Sequence, residues 1–149
     1  MKIEEAIKSR FMNAVHKAVV NVMYTSNWLR DQQGGVFKEY DLLPQHYNVL
    51  RILMGRHPEP VSPGAIRDVM LDKGADVTRL LNKLEEKNLI ERRICPENRR
   101  MIDVSLTEAG TALAAEMTEK VKVITKTFQG NLSEEDAELL NQLLDKLRG

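Results

Sequence analysis

The feature that most constrains this chain is a change of hydrophobic period within residues 75–106. In ADVTRLLNKLEEKNLI, the apolar residues Val77, Leu80, Leu81 and Leu84 recur at three- and four-residue spacing, which places them on one helix face. From LIERRI to MIDVSL the pattern becomes short and β-rich, with Ile102, Val104 and Leu106 alternating with polar residues. Between these runs lies CPENRR, where Pro96 and Asn98 are turn formers. A helix from about Ala75 to Asn88 that runs directly into a β-hairpin is predicted.

Upstream, Ser62-Pro63 supplies an N-cap and a first helical residue for a short helix to about Met70. Leu71-Asp72-Lys73-Gly74 then reads as a tight turn. An earlier helix starts at Pro44 and carries Tyr47, Leu50, Ile52 and Leu53 to the region of Gly55, where His57-Pro58-Glu59-Pro60 ends it. Two short helices joined by a Gly-containing turn form a helix-turn-helix. With the hairpin behind it, the unit is a winged helix, and RRICPENRR (92–100) is the wing.

The flanking segments are long helices. Ile3, Ile7, Phe11, Ala14, Val15, Ala18, Val19, Val22 and Met23 keep one helical face, predicting a single helix that reaches about Trp28 and Leu29 and stops before Gly34-Gly35. Such a helix is about 40 Å long, more than a small core needs, so part of its stripe is expected to be buried against another chain. Thr107 caps a helix with Glu108 in its first turn, running to about Phe128 and ended by Gly130-Asn131. Ser133-Glu134-Glu135-Asp136 resembles a capping box for a last helix faced by Leu139, Leu140, Leu143, Leu144 and Leu147. The predicted class is mainly α, an α+β winged helix, in one domain covering residues 1–149.

Bulk composition excludes more than it selects. The chain has 149 residues, net charge +0, 42% hydrophobic and 30% charged residues, which suits a soluble globular protein. No run of roughly 18 apolar residues indicates a membrane span, and MKIEEAIKSRFMNAV lacks the apolar core of a signal peptide. The single cysteine, Cys95, cannot form an intrachain disulfide, and a cytoplasmic location is expected. Charge is concentrated locally: Lys87, Arg92, Arg93, Arg99 and Arg100 face only Glu91 and Glu97, a local excess of +3. That excess matters where a fold aims it in one direction.

The run LLPQHYNVLRIL, then DVTRLLNKLEEKNLIERRICPENRRMIDVSLTEAG and LSEEDAELLNQLLDKL, resembles the MarR family of bacterial transcriptional regulators. The resemblance implies a homodimer whose terminal helices, about residues 1–40 and 107–149, intertwine as dimerisation helices. It also implies a winged helix-turn-helix lobe over about 41–106, two of which bind a palindromic double-stranded DNA operator. Carried over by position, Ala75, Asp76, Thr78 and Arg79 would face the major groove, with Lys83 nearer a phosphate. Arg79 suits a guanine edge, and Thr78 a phosphate or a thymine methyl. Arg99 or Arg100 at the wing tip would enter the minor groove, where an A·T-rich site favours a guanidinium. Arg92 and Arg93 at the wing base would bind phosphates; Ser62 and Asn98 complete the candidate DNA-contact set. Family wings often carry Asp where this chain has Asn98, and a capping Ser or Thr where it has Leu43. Small aromatic or anionic effectors of such regulators suggest a pocket from His16, Met23, Tyr24, Trp28, Tyr47 and Arg51, with ordinary packing as the plainer reading.

No nucleophile motif, Gly-rich phosphate loop or metal cluster is present, so neither an enzyme nor a cofactor is expected. His16, His46 and His57 are scattered, and no metal site is expected. Cys95 reads as a surface or half-buried thiol. The rival to a ligand-released repressor is a winged-helix adapter that binds protein rather than DNA, which Asp76, Glu85, Glu86 and Glu91 keep open.

Overall fold

A computed structural model describes all residues 1–149. The chain runs α1 (Ile3–Ile7), α2 (Ala14–Lys38), α3 (Pro44–Arg56), α4 (Pro63–Val69), α5 (Val77–Glu86), β1 (Ile90–Ile94), β2 (Ile102–Leu106), α6 (Glu108–Gln129) and α7 (Glu134–Arg148). None of the helices is long and apolar enough to cross a membrane.

The N-terminal stripe is not one helix. Lys8 turns into the left-handed region at φ 49°, and its N–H bonds the Glu4 carbonyl, closing α1. Asn13 then opens α2 by accepting the His16 N–H at 2.8 Å, while His16 Nδ1 accepts the Met12 N–H at 3.2 Å. Apolar spacing carries across this break, so periodicity alone does not reveal it. At its other end α2 passes through Gly34-Gly35 instead of stopping before them. Each interior glycine costs roughly 1 kcal/mol relative to alanine. Just beyond, Val36 and a fully buried Phe37 join the core, and burying a side chain like Phe contributes about 1.5–3 kcal/mol. Tertiary packing therefore carries the helix past its weak point.

α3 lacks a side-chain cap at Leu43. The Leu43 N–H instead donates to His46 Nδ1 at 2.8 Å. His46 is buried, and this desolvation is the main reason its pKa falls to about 4, with Lys83 and Lys87 lowering it further against the opposing pull of Asp41. The neutral ring keeps the Nδ1 lone pair that Leu43 needs.

Around α3 the helices assemble one core. Val49, Leu50 and Leu53 meet Ile66 and Met70 from the α4 region and Val77, Leu80, Leu81 and Leu84 from α5. The same core takes in Phe37 at the end of α2 and Ala114 and Met117 of α6, so it extends past residues 41–106 at both ends. β1 and β2 pair antiparallel from Ile90↔Leu106 to Ile94↔Ile102. Val61, just before α4, exchanges two 2.9 Å backbone bonds with Val104 and adds a one-residue third strand. A lone apolar residue between Pro60 and Ser62 has no period, so nothing local in the sequence marks this pairing.

Thr107 joins the hairpin to α6. Its N–H donates to the Leu89 carbonyl at 3.1 Å, its hydroxyl to the Asn88 carbonyl at 2.7 Å, and its Oγ1 accepts the Gly110 N–H at 2.9 Å. α7 is started by Ser133, whose Oγ accepts the Asp136 N–H at 3.1 Å, and it buries none of its residues.

Candidate nucleic-acid interface

The buried set Val77, Leu80, Leu81 and Leu84 fixes how α5 lies. At about 100° per residue, the ridge opposite that face is Arg79, Asn82 and Glu86, all exposed. Thr78 and Glu85 flank the ridge on the wing side, and Lys83 and Lys87 flank it on the other. The helix is shorter than the predicted Ala75–Asn88. Asp76 is its N-cap, with Oδ1 accepting the Arg79 N–H at 3.2 Å. Ala75 is half-buried against the core rather than an exposed reading position. Asn88 leaves the helix at φ 57°. Asn82 is not among the sequence candidates, although its three-residue spacing from Arg79 puts both on one ridge.

Ion pairs divide the cations of this face into two kinds. Lys83 Nζ lies 3.3 Å and Lys87 Nζ 3.9 Å from Asp41 Oδ2, between α2 and α3. Arg92 Nε is bound to Glu85 of α5, which ties the wing base to the helix. Arg93 donates to Glu91 at 2.8 Å on the outer face of the hairpin. No acidic side chain lies within ion-pair distance of Arg79, Arg99 or Arg100. The pairing of Arg79 with Asp76 or Glu86, a plain alternative for that residue, does not occur.

Asn98 builds the wing tip. Its Oδ1 accepts the Arg100 N–H at 3.1 Å, its carbonyl accepts the Met101 N–H at 2.9 Å, and the Met101 carbonyl accepts the Cys95 N–H at 3.0 Å. A neutral amide does the turn-forming work of a carboxylate there, and Glu97, the acid at the tip, forms no ion pair with either guanidinium group. Cys95 is a half-buried free thiol within this turn. Ser62 caps α4 through the Ala65 N–H at 3.2 Å. No cluster of three or more His, Cys, Asp or Glu residues is placed to hold a metal.

The six pocket candidates do not converge. Tyr47 and Arg51 line a cleft of about 330 Å³ between α3 and α6, with Thr118, Val121, Lys122, Thr125, Lys126 and Gln129. Tyr47 Oη and Thr118 Oγ1 are 3.1 Å apart, and Arg51 Nη1 donates to the same oxygen at 3.4 Å. His16 is instead occupied in the capping of α2 and packs edge-on against Phe11. Met23 and Tyr24 are exposed, and Trp28 packs against Phe128 with ring centroids 5.3 Å apart and ring planes tilted by 50°. None of the four α2 candidates lines this cleft, whose remaining residues all come from α6. The α6 residues carry no signal in the sequence, because Lys122, Lys126 and Gln129 resemble any solvated helix face.

A family model described as MarR family matches residues 40–101, the span from the end of α2 to the wing. The regulator MhqR of Bacillus subtilis (strain 168) is 28% identical over 127 residues, covering 80% of this chain and 81% of that protein. The crystal structure of a MarR transcription factor from Planctomyces limnophilus is 30% identical, covers 91% of this chain and 98% of its own, and superposes with a TM-score of 0.69. A mutant of MarR from E. coli, solved with operator DNA, shares the fold at TM-score 0.78 and 22% identity, covering 93% of this chain and 99% of that one. Similarity to the Planctomyces limnophilus protein extends over the terminal helices as well as the winged helix, and the chain belongs to the MarR family.

Proposed function

We propose that the chain is a dimeric, sequence-specific double-stranded DNA-binding transcriptional regulator, acting as a repressor released from a palindromic operator by a small anionic ligand. The observation that carries this reading is the set of unpaired guanidinium groups. Arg79 on the α5 ridge and Arg99 and Arg100 on the wing are exposed with no acid within ion-pair distance, while the cations around them are tied. Arg79 and Asn82 match the base edges they would meet, arginine to guanine and asparagine to adenine. The wing arginines suit a narrow minor groove. A solved relative, the S. aureus protein MepR, is described as a complex with DNA.

Dimerisation accounts for surfaces that one chain leaves uncovered. Leu139, Leu140, Leu143 and Leu147 on α7 and Val15, Val19, Val22 and Met23 on α2 are all exposed. Two lobes dock together when the recognition helices stand about one DNA turn apart, roughly 34–36 Å. The cleft at Tyr47, Arg51, Lys122 and Lys126 lies between α3 of the lobe and the long helix α6. An anion there would be met by Arg51 and Lys126, by Lys122 once it leaves Glu119 at 2.7 Å, and by the Tyr47 and Thr118 hydroxyl groups, and would shift lobe spacing if it favoured one arrangement over another. Of the four acids that would favour a protein-binding adapter, three are engaged in other ways, Glu85 and Glu91 in ion pairs and Asp76 in capping, and only Glu86 stands exposed without a partner.

The test is selection of bound sequences from a pool of random duplexes. An enriched near-palindrome, with A·T-rich flanks under each wing, is the expected result. No enrichment from a folded dimer would reject the DNA reading. Adding benzoate as a probe anion should then lower operator affinity, and Arg51→Ala should remove that effect.

A further inference from the structure

Asp41 occupies an unusual position for a carboxylate. It stands at φ 53°, in the left-handed turn that closes α2, with its N–H bonded to the Lys38 carbonyl at 3.1 Å. Leu42 beside it is buried and donates to the Phe37 carbonyl at 3.1 Å, so the backbone is anchored on the core. The side chain itself is 82% exposed. From there it reaches two lysines four residues apart, Lys83 of α5 at 3.3 Å and Lys87 just past its end at 3.9 Å.

Stability is a poor reason for this arrangement. Exposed ion pairs typically contribute about 0–1 kcal/mol. The carboxylate also sits toward the C-terminal end of α5, where the helix dipole disfavours an anion and favours the lysines alone. What the contact does achieve is electrostatic. It cancels one of two adjacent positive charges beside the ridge of Arg79 and Asn82, with a single carboxylate oxygen set against both ammonium groups.

We propose that Asp41 is an internal stand-in for a DNA phosphate, holding Lys83 and Lys87 in the free protein and lowering affinity for nonspecific duplex. The proposal rests on the DNA-binding reading above. When a duplex docks in register, a backbone phosphate takes the lysines; when it does not, the internal carboxylate keeps them. The contact thus sharpens discrimination between operator and bulk DNA without touching a base.

The experiment compares wild type with Asp41→Asn on a random-sequence duplex over a salt series. Asparagine tolerates the left-handed backbone and keeps the side-chain size while removing the charge. Binding should tighten roughly three- to tenfold near 0.1 M salt, and the log–log salt slope should steepen by about one for each additional phosphate neutralised. In a Lys83→Gln/Lys87→Gln background, Asp41→Asn should bring no tightening. Unchanged affinity and slope in a wild type that binds DNA would overturn the phosphate stand-in and leave the DNA reading intact. So would an equal tightening in the double-glutamine background, which would be a general charge effect. Loss of the fold in Asp41→Asn would make the residue structural and overturn the proposal too. Failure of wild type to retain any duplex would overturn the DNA reading and this proposal together.

Discussion

Gly110, in the first turn of α6, lies so close to the Leu89 backbone that an added Cβ would overlap the Leu89 carbonyl oxygen and stand 2.8 Å from its carbon. That carbonyl already accepts the Thr107 N–H, so it has no freedom to turn away. The missing side chain lets the long helix start directly against the root of the wing. Gly110→Ala is therefore expected to destabilise the fold by at least the upper end of the ~1–3 kcal/mol usual for overpacking. Urea denaturation would show the shift; a midpoint equal to wild type would mean the junction is looser than the contact implies.

His46 makes stability depend on acidity. Its folded pKa of about 4 lies below the ordinary value of 6.5, mainly because burial disfavours the charged ring. Below about pH 6.5 the unfolded chain therefore binds a proton that the folded chain refuses, so the contribution is intact above that pH and lost as pH falls toward 4. A shift of that size corresponds to about 3 kcal/mol. Urea melts at pH 7.5 and 4.5 should differ by less in His46→Gln than in wild type. An identical pH dependence in the two proteins would remove His46 as the cause.

Arg79 and Asn82 share the outward ridge of α5, so each should control identity at its own base position. Replacing either with alanine is expected to reduce discrimination at one position of each half-site by about 1–3 kcal/mol. Repeating the duplex selection with each variant would reveal this as a relaxed position. A uniform loss across all positions would assign both residues to the phosphate backbone.

Arg99 and Arg100 have no acidic partner to replace, so their contacts with a duplex should appear directly in the salt dependence. Arg99→Ala and Arg100→Ala should each flatten the log–log slope by about one where the residue neutralises a phosphate. Fluorescence anisotropy on a labelled duplex between 50 and about 200 mM salt covers the useful range. Slopes and affinities both equal to wild type would place the wing off the DNA.

Leu143 is 55% exposed in the single chain, on a helix that buries nothing. If α7 closes against a second copy, Leu143→Arg should yield a monomer with unchanged helix content, read by light scattering and circular dichroism. A dimer that survives this change would place the subunit contact elsewhere.

The winged helix itself is legible in the sequence because each of its parts carries a local signal. Ser62 and Thr107 cap helices, Val77, Leu80, Leu81 and Leu84 keep a helical period, and Pro96 and Asn98 mark the hairpin turn. Expectation and structure part where a long-range contact or a cap outweighs the local pattern. Phe37 reaching the core draws α2 through two glycines, and Asn13 caps a helix in the middle of an unbroken apolar stripe. Val61 enters the sheet as a single residue whose partner, Val104, lies far along the chain.

For the candidate site, residue types and their order along the chain determined that α5 and the wing would each present arginines. Helical period and turn chemistry act within a few residues, and such rules can be read from a string. Only tertiary structure decided which cations stay free. Asp41 meets Lys83 from another element, Glu85 meets Arg92 across a helix–strand junction, and Arg79, Arg99 and Arg100 meet no acid. Tertiary structure likewise separated Trp28 from Arg51 and gave the cleft its α6 wall. Charge pairing falls off within a few ångströms, and those distances are set by how helices pack rather than by how far apart residues stand in sequence.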